Sequence, residues 1–345
     1  MGPRPDALAK AVPQQASARL CSFQSINKDA SGTSTFYTGK IMTDTLLRNH
    51  KLDISQPKIL KIEQYVTGGQ SLDDITIEPY SAVVGARVKG LRVNARTKVN
   101  GDVRSFLYAG LLRHGFLAFE PGSVTAEDYI HLVQLFGEAK YNGTPHTPVA
   151  TESANVNTID SEVKKTRMNY IWHIDQAFRP KPTRFTALFG KKVPSVGGDT
   201  LFSNATVAYD LLDPLFAAYL ETLTAVHDVE TQGFLTLAYQ DPAELAAQKA
   251  RTPSIEAPLI RVHPETGRKQ LYANELYTQR ILGLSRVASE SILNILFDLV
   301  RSPDVQTRYR WEEGSVLIWD NRTVQHRGVG DFGAGHRVLY RAVID

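Results

Sequence analysis

Two short segments far apart in the chain carry residue types that can hold a redox metal: Trp172-His173-Ile174-Asp175, and Trp319-Asp320-Asn321-Arg322-Thr323-Val324-Gln325-His326, with Arg337 following. On an extended chain, side chains two positions apart point to one face, so the His173 imidazole and the Asp175 carboxylate can grip one ion. His326 can supply a third ligand. Two histidines and one carboxylate on one face of an octahedron suit non-haem Fe(II) and leave three positions for substrate oxygens and O2. The spacing alone is equally that of a hydrogen-bonded histidine beside a solvated aspartate. The chemistry exists only if the fold brings the two segments together.

The tail, His336 to Ile344, alternates in a period of two and reads as a strand with Arg337, Leu339, Arg341 and Val343 on one face. A guanidinium without a counter-charge is costly on such a face. An anion is the expected partner, and the planar fork of donors fits a carboxylate bidentately. For Arg341 a surface or terminal ion pair competes with a ligand contact.

Taken in order and at this spacing, these segments resemble the taurine dioxygenase and 2,4-dichlorophenoxyacetate dioxygenase (TauD/TfdA) family of Fe(II)- and 2-oxoglutarate-dependent oxygenases, from about Ile75 to the C-terminus. The match is carried by Trp172 to Asp175, Pro194-Ser195-Val196-Gly197-Gly198-Asp199-Thr200, His263-Pro264-Glu265-Thr266-Gly267-Arg268, Trp319 to His326, and Arg337 eleven residues beyond the last histidine. The resemblance implies His173, Asp175 and His326 as the iron ligands and Arg337 with Thr200 as the holders of the distal carboxylate of 2-oxoglutarate. A bidentate arginine and a hydroxyl can together satisfy several lone pairs of one buried carboxylate. Arg341 matches a second arginine near the inner carboxylate and the substrate. Asn169 matches a polar position beside the ligands, although an asparagine there also suits a turn.

The implied reaction consumes O2, decarboxylates 2-oxoglutarate to succinate and CO2, and hydroxylates an unactivated C–H bond in a small anionic molecule, with metal and cosubstrate carrying the difficult step. The same ligand set also serves desaturation, cyclisation or rearrangement. A non-catalytic metal-binding or sensor barrel would be expected to lose a ligand or Arg337, and the chain keeps all of them. Asp175 argues for oxygenation, since related halogenases lack that carboxylate. Where taurine dioxygenase carries a histidine shortly after its Phe-Gly-Glu segment, this chain carries Asn142, which argues against taurine itself.

The elements that must position these residues are of mixed type. The resemblance implies an α+β fold with a double-stranded β-helix (jelly-roll, cupin-like) core, flanking helices, and the metal segments on inner strands. Ile75 to Pro79 and Ala82 to Val88 read as short strands, Val103 to His114 as an amphipathic helix, and Gly115 to Phe119 as a strand ended by Pro121-Gly122. Thr125, with Asp128 three residues on, reads as the cap of a second helix that ends near Phe136-Gly137-Glu138. Gly197-Gly198 reads as a tight turn that delivers Thr200, and the segment lacks the lysine and spacing of a phosphate-binding loop. Two stretches are expected to set the substrate. Tyr141 to Met168 holds Asn142 and His146. Thr231 to Pro258 lacks strand alternation and has helical composition around Pro242 to Ala250, as a lid over the iron or as a surface helix.

The 345 residues, with 42% hydrophobic and 22% charged, are ordinary globular usage. A net charge of +3 with dispersed basic residues gives no footprint for nucleic acid. No run of about 18 apolar residues predicts a membrane span. The single cysteine, Cys21, excludes an intramolecular disulfide and suits a reducing cytoplasm. The expected partners are therefore a small-molecule substrate and, in a homo-oligomer, further copies of the chain. Residues 1–70 read as an N-terminal extension, partly disordered or accessory, and 71–345 as the dioxygenase domain. Met1 to Lys40 is rich in Ala, Ser, Gln, Pro and Thr, a composition that struggles to bury a core. It has no continuous apolar stretch of the kind a secretory signal needs; an organelle-targeting segment and an initiator at Met42 are both compatible with it.

Overall fold

Phe116-Leu117-Ala118-Phe119, Phe185 to Gly190 and Val316 to Asp320 are buried along their whole length. Runs of this kind must be covered on both faces, which makes them the middle of a sheet. The computed structural model places them there. It describes residues 60–61, 75–94, 101–140, 155–162 and 168–345, all within the unit that spans Leu46–Asp345.

In chain order the strands are β1 (Leu60–Lys61), β2 (Thr76–Pro79), β3 (Ala86–Lys89), β4 (Phe116–Phe119), β5 (Ala139–Lys140), β6 (Asn157–Asp160), β7 (Phe185–Lys192), β8 (Thr200–Asn204) and β9 (Thr224–His227). They continue as β10 (Ile255–Pro258), β11 (Ile260–Val262), β12 (Lys269–Leu271), β13 (Thr278–Ile281), β14 (Gln306–Tyr309), β15 (Val316–Asp320), β16 (Val324–Gly328) and β17 (Val338–Ile344). The large sheet runs β1-β2-β3-β4-β15-β7-β17-β5, with β6 also on β17, and a small sheet runs β14-β8-β16. All of these pairings are antiparallel except β3 with β4. Leu60 pairs with Ile77, so part of the stretch before residue 71 joins the edge of the large sheet.

Period-two alternation sorts the core. Along β15, Val316 and Ile318 face one cluster with Ile77, Phe106, Leu107 and Phe185, under the helices α1 (Gly101–His114) and α2 (Tyr129–Gln134). Leu317 and Trp319 face the other way, against Phe202, Tyr309 and Val324 of the small sheet and Leu339 of β17. The two sheets thus share a core, and His326 on β16 and Trp319 on β15 sit at their contact. The remaining helices, α3 (Ala205–Asp210), α4 (Pro214–Leu220), α5 (Phe234–Ala238), α6 (Pro242–Arg251) and α7 (Arg286–Arg301), lie after β8 in the chain.

Three expectations need correction. The strand expected over Ala82 to Val88 begins at Ala86, because Ser81 to Val84 is a bend held by the Ser81 hydroxyl, which donates to Val84 O and accepts from Val84 N. Thr125 does accept from Asp128 N, but the helix itself starts at Tyr129. The stretch Thr231 to Pro258 holds α5 and α6 as its composition suggests, and it also holds β10, which pairs with β9 through only four residues. Four residues are too few for alternation to declare a strand.

A buried polar network ties α1 to the end of β15. Asp320 Oδ2 meets His263 Nε2 at 3.1 Å and accepts from Arg322 Nη2 at 2.9 Å, while Oδ1 accepts from Arg322 Nε at 2.9 Å. Arg322 continues to Glu265, which accepts from the Tyr108 hydroxyl. Burial opposes the Asp320 charge, but His263 and Arg322 outweigh it and hold the carboxyl below its ordinary range. A depressed folded-state pKa contributes stability that is present above the unfolded carboxylate range near pH 4 and is lost as the pH falls through the folded value. Asp320→Ala should therefore lower unfolding free energy at pH 7 by about 3–5 kcal/mol, read by urea denaturation. Removing the exposed Arg286–Glu290 pair should change it by about 0.5 kcal/mol or less.

Candidate functional site

His326 lies on β16, in register with Phe202 of β8, and its ring stacks on Phe202 and against Trp319. His173 joins it through an isolated antiparallel bridge in which each residue's N–H donates to the other's carbonyl, at 3.0 and 2.9 Å. The segment Trp172 to Asp175 is not the extended strand that the two-residue spacing suggests: a turn begins at Asp175, and Gln176 adopts a left-handed φ of 57°. The tight turn still aims both side chains at one point. One ligand atom from each of His173, Asp175 and His326 lies within 4.8 Å of the others, and all three residues are buried. His173 Nε2 is 3.8 Å from Asp175 Oδ1 and His326 Nε2 is 3.9 Å from Asp175 Oδ2. These separations are too long for hydrogen bonds and leave room for an ion between the donors.

Each donor is prepared by its surroundings. His173 Nδ1 lies 2.7 Å from Ile171 O; a carbonyl can only accept, so Nδ1 carries the proton and Nε2 presents its lone pair. Burial pushes the His173 imidazole below its ordinary range against the pull of Asp175, and pushes His326 well below, reinforced by His173. Both rings are neutral and able to ligate. For Asp175 burial opposes ionisation, yet with both rings neutral the Arg341 guanidinium and the Thr186 hydroxyl hold its carboxyl below the usual range. Its Oδ1 accepts from Arg341 Nη2 at 3.0 Å and its Oδ2 from Thr186 Oγ1 at 2.6 Å. Thr186 is set in turn by Asn321 Nδ2 at 3.0 Å, and Asn321 Oδ1 accepts from Trp319 Nε1 at 3.0 Å. Two neutral imidazoles and one ionised carboxylate, each oriented from behind, are a donor set that fits Fe(II).

The same cavity is lined by Thr200, Arg337, Leu339, Arg341 and Asn169 as well as by the three ligands. The alternation read from the tail survives a register shift at Val338/Leu339 of β17. Arg337 is half-buried, its buried Nε has no hydrogen-bond partner, and no carboxylate among the described residues lies within ion-pairing distance. Burial pushes its pKa down to about 10. Asp199, whose charge acts on Arg337, has its Oδ2 bound by Arg308, which also takes Asp331. A half-buried cation in this state calls for an anionic ligand. Gly197 and Gly198 have φ of 79° and 72°, as the expected turn requires. A Cβ on Gly198 would stand 3.1 Å from Arg337 Cδ, so the arginine needs that glycine as well.

A second cavity opens beside His173 and Asp175, with Arg341, Asn169 and Asn157 as polar lining and Phe178, Val229, Phe234, Leu235, Leu276 and Tyr277 as apolar wall. Part of the stretch Thr231 to Pro258 therefore reaches the site: Phe234 and Leu235 of α5, Gln248 of α6, and Thr252. Asn169 sits in a short 3-10 turn, Met168–Tyr170, and lines both cavities. Arg341 is neither a surface pair nor an unpaired ligand contact, because its partner is the Asp175 carboxylate itself. Asn142 and His146 lie outside the described residues. Sequence reading missed Thr186, Asn321 as an orienting group, Gln176 and Trp311. Thr186 and Asn321 come together only through the pairing of β15 with β7, and no spacing in the chain announces it.

Comparison with known proteins agrees with this geometry. The family described as taurine catabolism dioxygenase TauD, TfdA family matches residues 76–343. An alkylsulfatase of Acinetobacter baylyi is 32% identical over 76% of this chain and 82% of its own length. An alpha-ketoglutarate-dependent sulfonate dioxygenase of Saccharomyces cerevisiae is 30% identical over 79% of this chain and 67% of its own. Among solved structures, a taurine dioxygenase from Burkholderia xenovorans superposes with a TM-score of 0.63 at 28% identity, covering 79% of this chain and 90% of that one. The chain thus belongs to the TauD/TfdA family of alpha-ketoglutarate (2-oxoglutarate)-dependent dioxygenases, enzymes that work with Fe(II), 2-oxoglutarate and O2.

Proposed function

We propose that His173, Asp175 and His326 hold the Fe(II), that Arg337 and Thr200 receive the distal carboxylate of 2-oxoglutarate, and that the substrate is a small organic anion with an apolar body. The observation that carries the reading is the pairing, in one cavity, of three buried donors within 4.8 Å with a guanidinium whose buried Nε is unpartnered and which has no carboxylate within ion-pairing distance among the described residues. The bound metal, cosubstrate and O2 supply oxidative decarboxylation coupled to hydroxylation of a C–H bond. The chain's own residues do the holding: Ile171 O fixes the His173 tautomer, Thr186 and Arg341 orient Asp175, and Thr200 offers a hydroxyl at the cosubstrate end.

Arg341 faces both cavities and spends one Nη2 contact on Asp175, which leaves further N–H groups for an anion at the mouth of the apolar pocket. Asn169 serves as a neutral donor beside it. The names of the Acinetobacter and yeast relatives, an alkylsulfatase and a sulfonate dioxygenase, favour a sulfur oxyanion on an organic body. We read the two facing sheets as the double-stranded β-helix of the family, residues 71–345 as the dioxygenase domain with 1–70 as an extension, and the enzyme as a cytoplasmic homo-oligomer. No helix among the described residues is long and apolar enough to cross a membrane.

Four outcomes are expected. Succinate release with added Fe(II), 2-oxoglutarate and O2 should be stimulated by alkyl or aryl sulfates and sulfonates over neutral analogues, and Arg341→Gln should cost affinity for the anion and, because Arg341 also pairs with Asp175, for Fe(II). Stimulation by neutral compounds alone would refute the anionic assignment. His326→Ala should abolish turnover and weaken Fe(II) binding with the fold retained. Arg337→Ala should raise the KM for 2-oxoglutarate by the loss of a charged contact of about 2–5 kcal/mol, with Arg337→Lys a poor rescue because one ammonium cannot reproduce the fork. Finally, a chain begun at Met42 should keep iron binding and turnover; their loss would make the extension part of the enzyme.

A further inference from the structure

The two groups assigned to the distal carboxylate share one neighbour that the family motifs do not single out. Trp311, two residues beyond β14, is 3% exposed. Its Nε1–H donates to Thr200 Oγ1 at 3.0 Å, and its ring lies under the Arg337 guanidinium, with Cζ 5.9 Å from the ring centroid. The indole is itself fixed, edge-on to Tyr309 at 5.2 Å and close enough to Gly190 that a Cβ there would stand 3.4 Å from Trp311 Cε3.

The consequence lies in how a hydroxyl divides its hydrogen bonds. Thr200 Oγ1 has one proton and two lone pairs. An indole N–H can only donate, so Trp311 occupies a lone pair and leaves the hydroxyl proton to be given to an acceptor. The ring beneath Arg337 acts on the second group, because a desolvated guanidinium over an indole face is attracted to it and loses freedom. Arg337 carries no other restraint on its Nε, and burial already pushes its pKa down to about 10.

We infer that Trp311 is a positioning residue for the cosubstrate: its N–H commits the Thr200 hydroxyl to donate to the distal carboxylate, and its ring steadies the Arg337 guanidinium that binds the same group. The inference rests on the assignment of Arg337 and Thr200 to 2-oxoglutarate made above. A side chain that merely filled the core would support the fold without favouring either proton arrangement on Thr200.

The test is 2-oxoglutarate affinity of the Fe(II)-loaded full chain without O2, read by charge-transfer absorbance, alongside kcat and KM, for Trp311→Phe, Thr200→Val, the double variant and Arg337→Ala. Trp311→Phe keeps a ring and removes the donor. It should weaken 2-oxoglutarate by about threefold to tenfold, the worth of one neutral hydrogen bond, and leave kcat nearly unchanged. In the Thr200→Val background the same change should cost little more, because the donor then has no hydroxyl to set. Unchanged affinity in Trp311→Phe, or a loss that adds in full to that of Thr200→Val, overturns the inference. If Arg337→Ala also leaves affinity unchanged, it is the cosubstrate assignment that has failed.

A measurement that leaves Trp311 in place covers the case in which Trp311→Phe folds poorly. The indole N–H resonance displaced by Thr200→Val in ligand-free protein is that of Trp311. In the Zn(II)-loaded wild type it should shift when 2-oxoglutarate is added. A resonance that stays put overturns the inference.

Discussion

The carboxylate of Asp175 is the charge around which the rest of the site is arranged. An ionised group this deeply buried costs several kcal/mol unless its lone pairs are met. Here Arg341 meets one oxygen and Thr186 the other, and Thr186 is held by a relay through Asn321 to the indole of Trp319. These partners come from β7, β15, β17 and the turn after β15. The register of three neighbouring strands therefore decides whether the carboxylate can stay ionised and face the two imidazoles.

The imidazoles depend on a second constraint, the contact between the two sheets. His326 is carried by the small sheet, whereas Thr186, Trp319 and Arg341 belong to the large one. Packing of Phe202, Tyr309 and Val324 against Phe116, Leu317 and Trp319 sets the distance between them. The backbone bridge between His173 and His326 then fixes the relative height of the two rings. A left-handed Gln176 lets the chain turn away at once after Asp175, a local strain of the kind found where a site over-determines its backbone.

Charge is distributed unevenly along the cavity. At the metal end Asp175 and Arg341 compensate one another. Arg337, which lines the same cavity, has no ion-pair partner among the described residues, and Arg308 engages both Asp199 and Asp331. The cavity thus demands an anion at a fixed distance from the three donors, with a mostly apolar pocket opening beside them.

The sequence by itself, with the family resemblance its motifs carry, determined which residues are the candidates for the chemistry. His173, Asp175, His326, Thr200 and Arg337 could be named because their residue types and motif spacing are legible in a linear chain, and the tail's alternation already placed Arg337 with Arg341. Apolar runs and turn signals likewise foretold α1, β4, α6 and the glycine turn before Thr200. Short elements such as β10 escaped, because four residues carry too little pattern. Only the tertiary structure decided that Asp175 is the partner of Arg341, that Thr186 and Asn321 stand behind it, and that Trp311 joins Thr200 to Arg337. The physical reason is that strand pairing and sheet packing bring together residues more than a hundred positions apart, and the hydrogen bonds made there leave no trace in local periodicity.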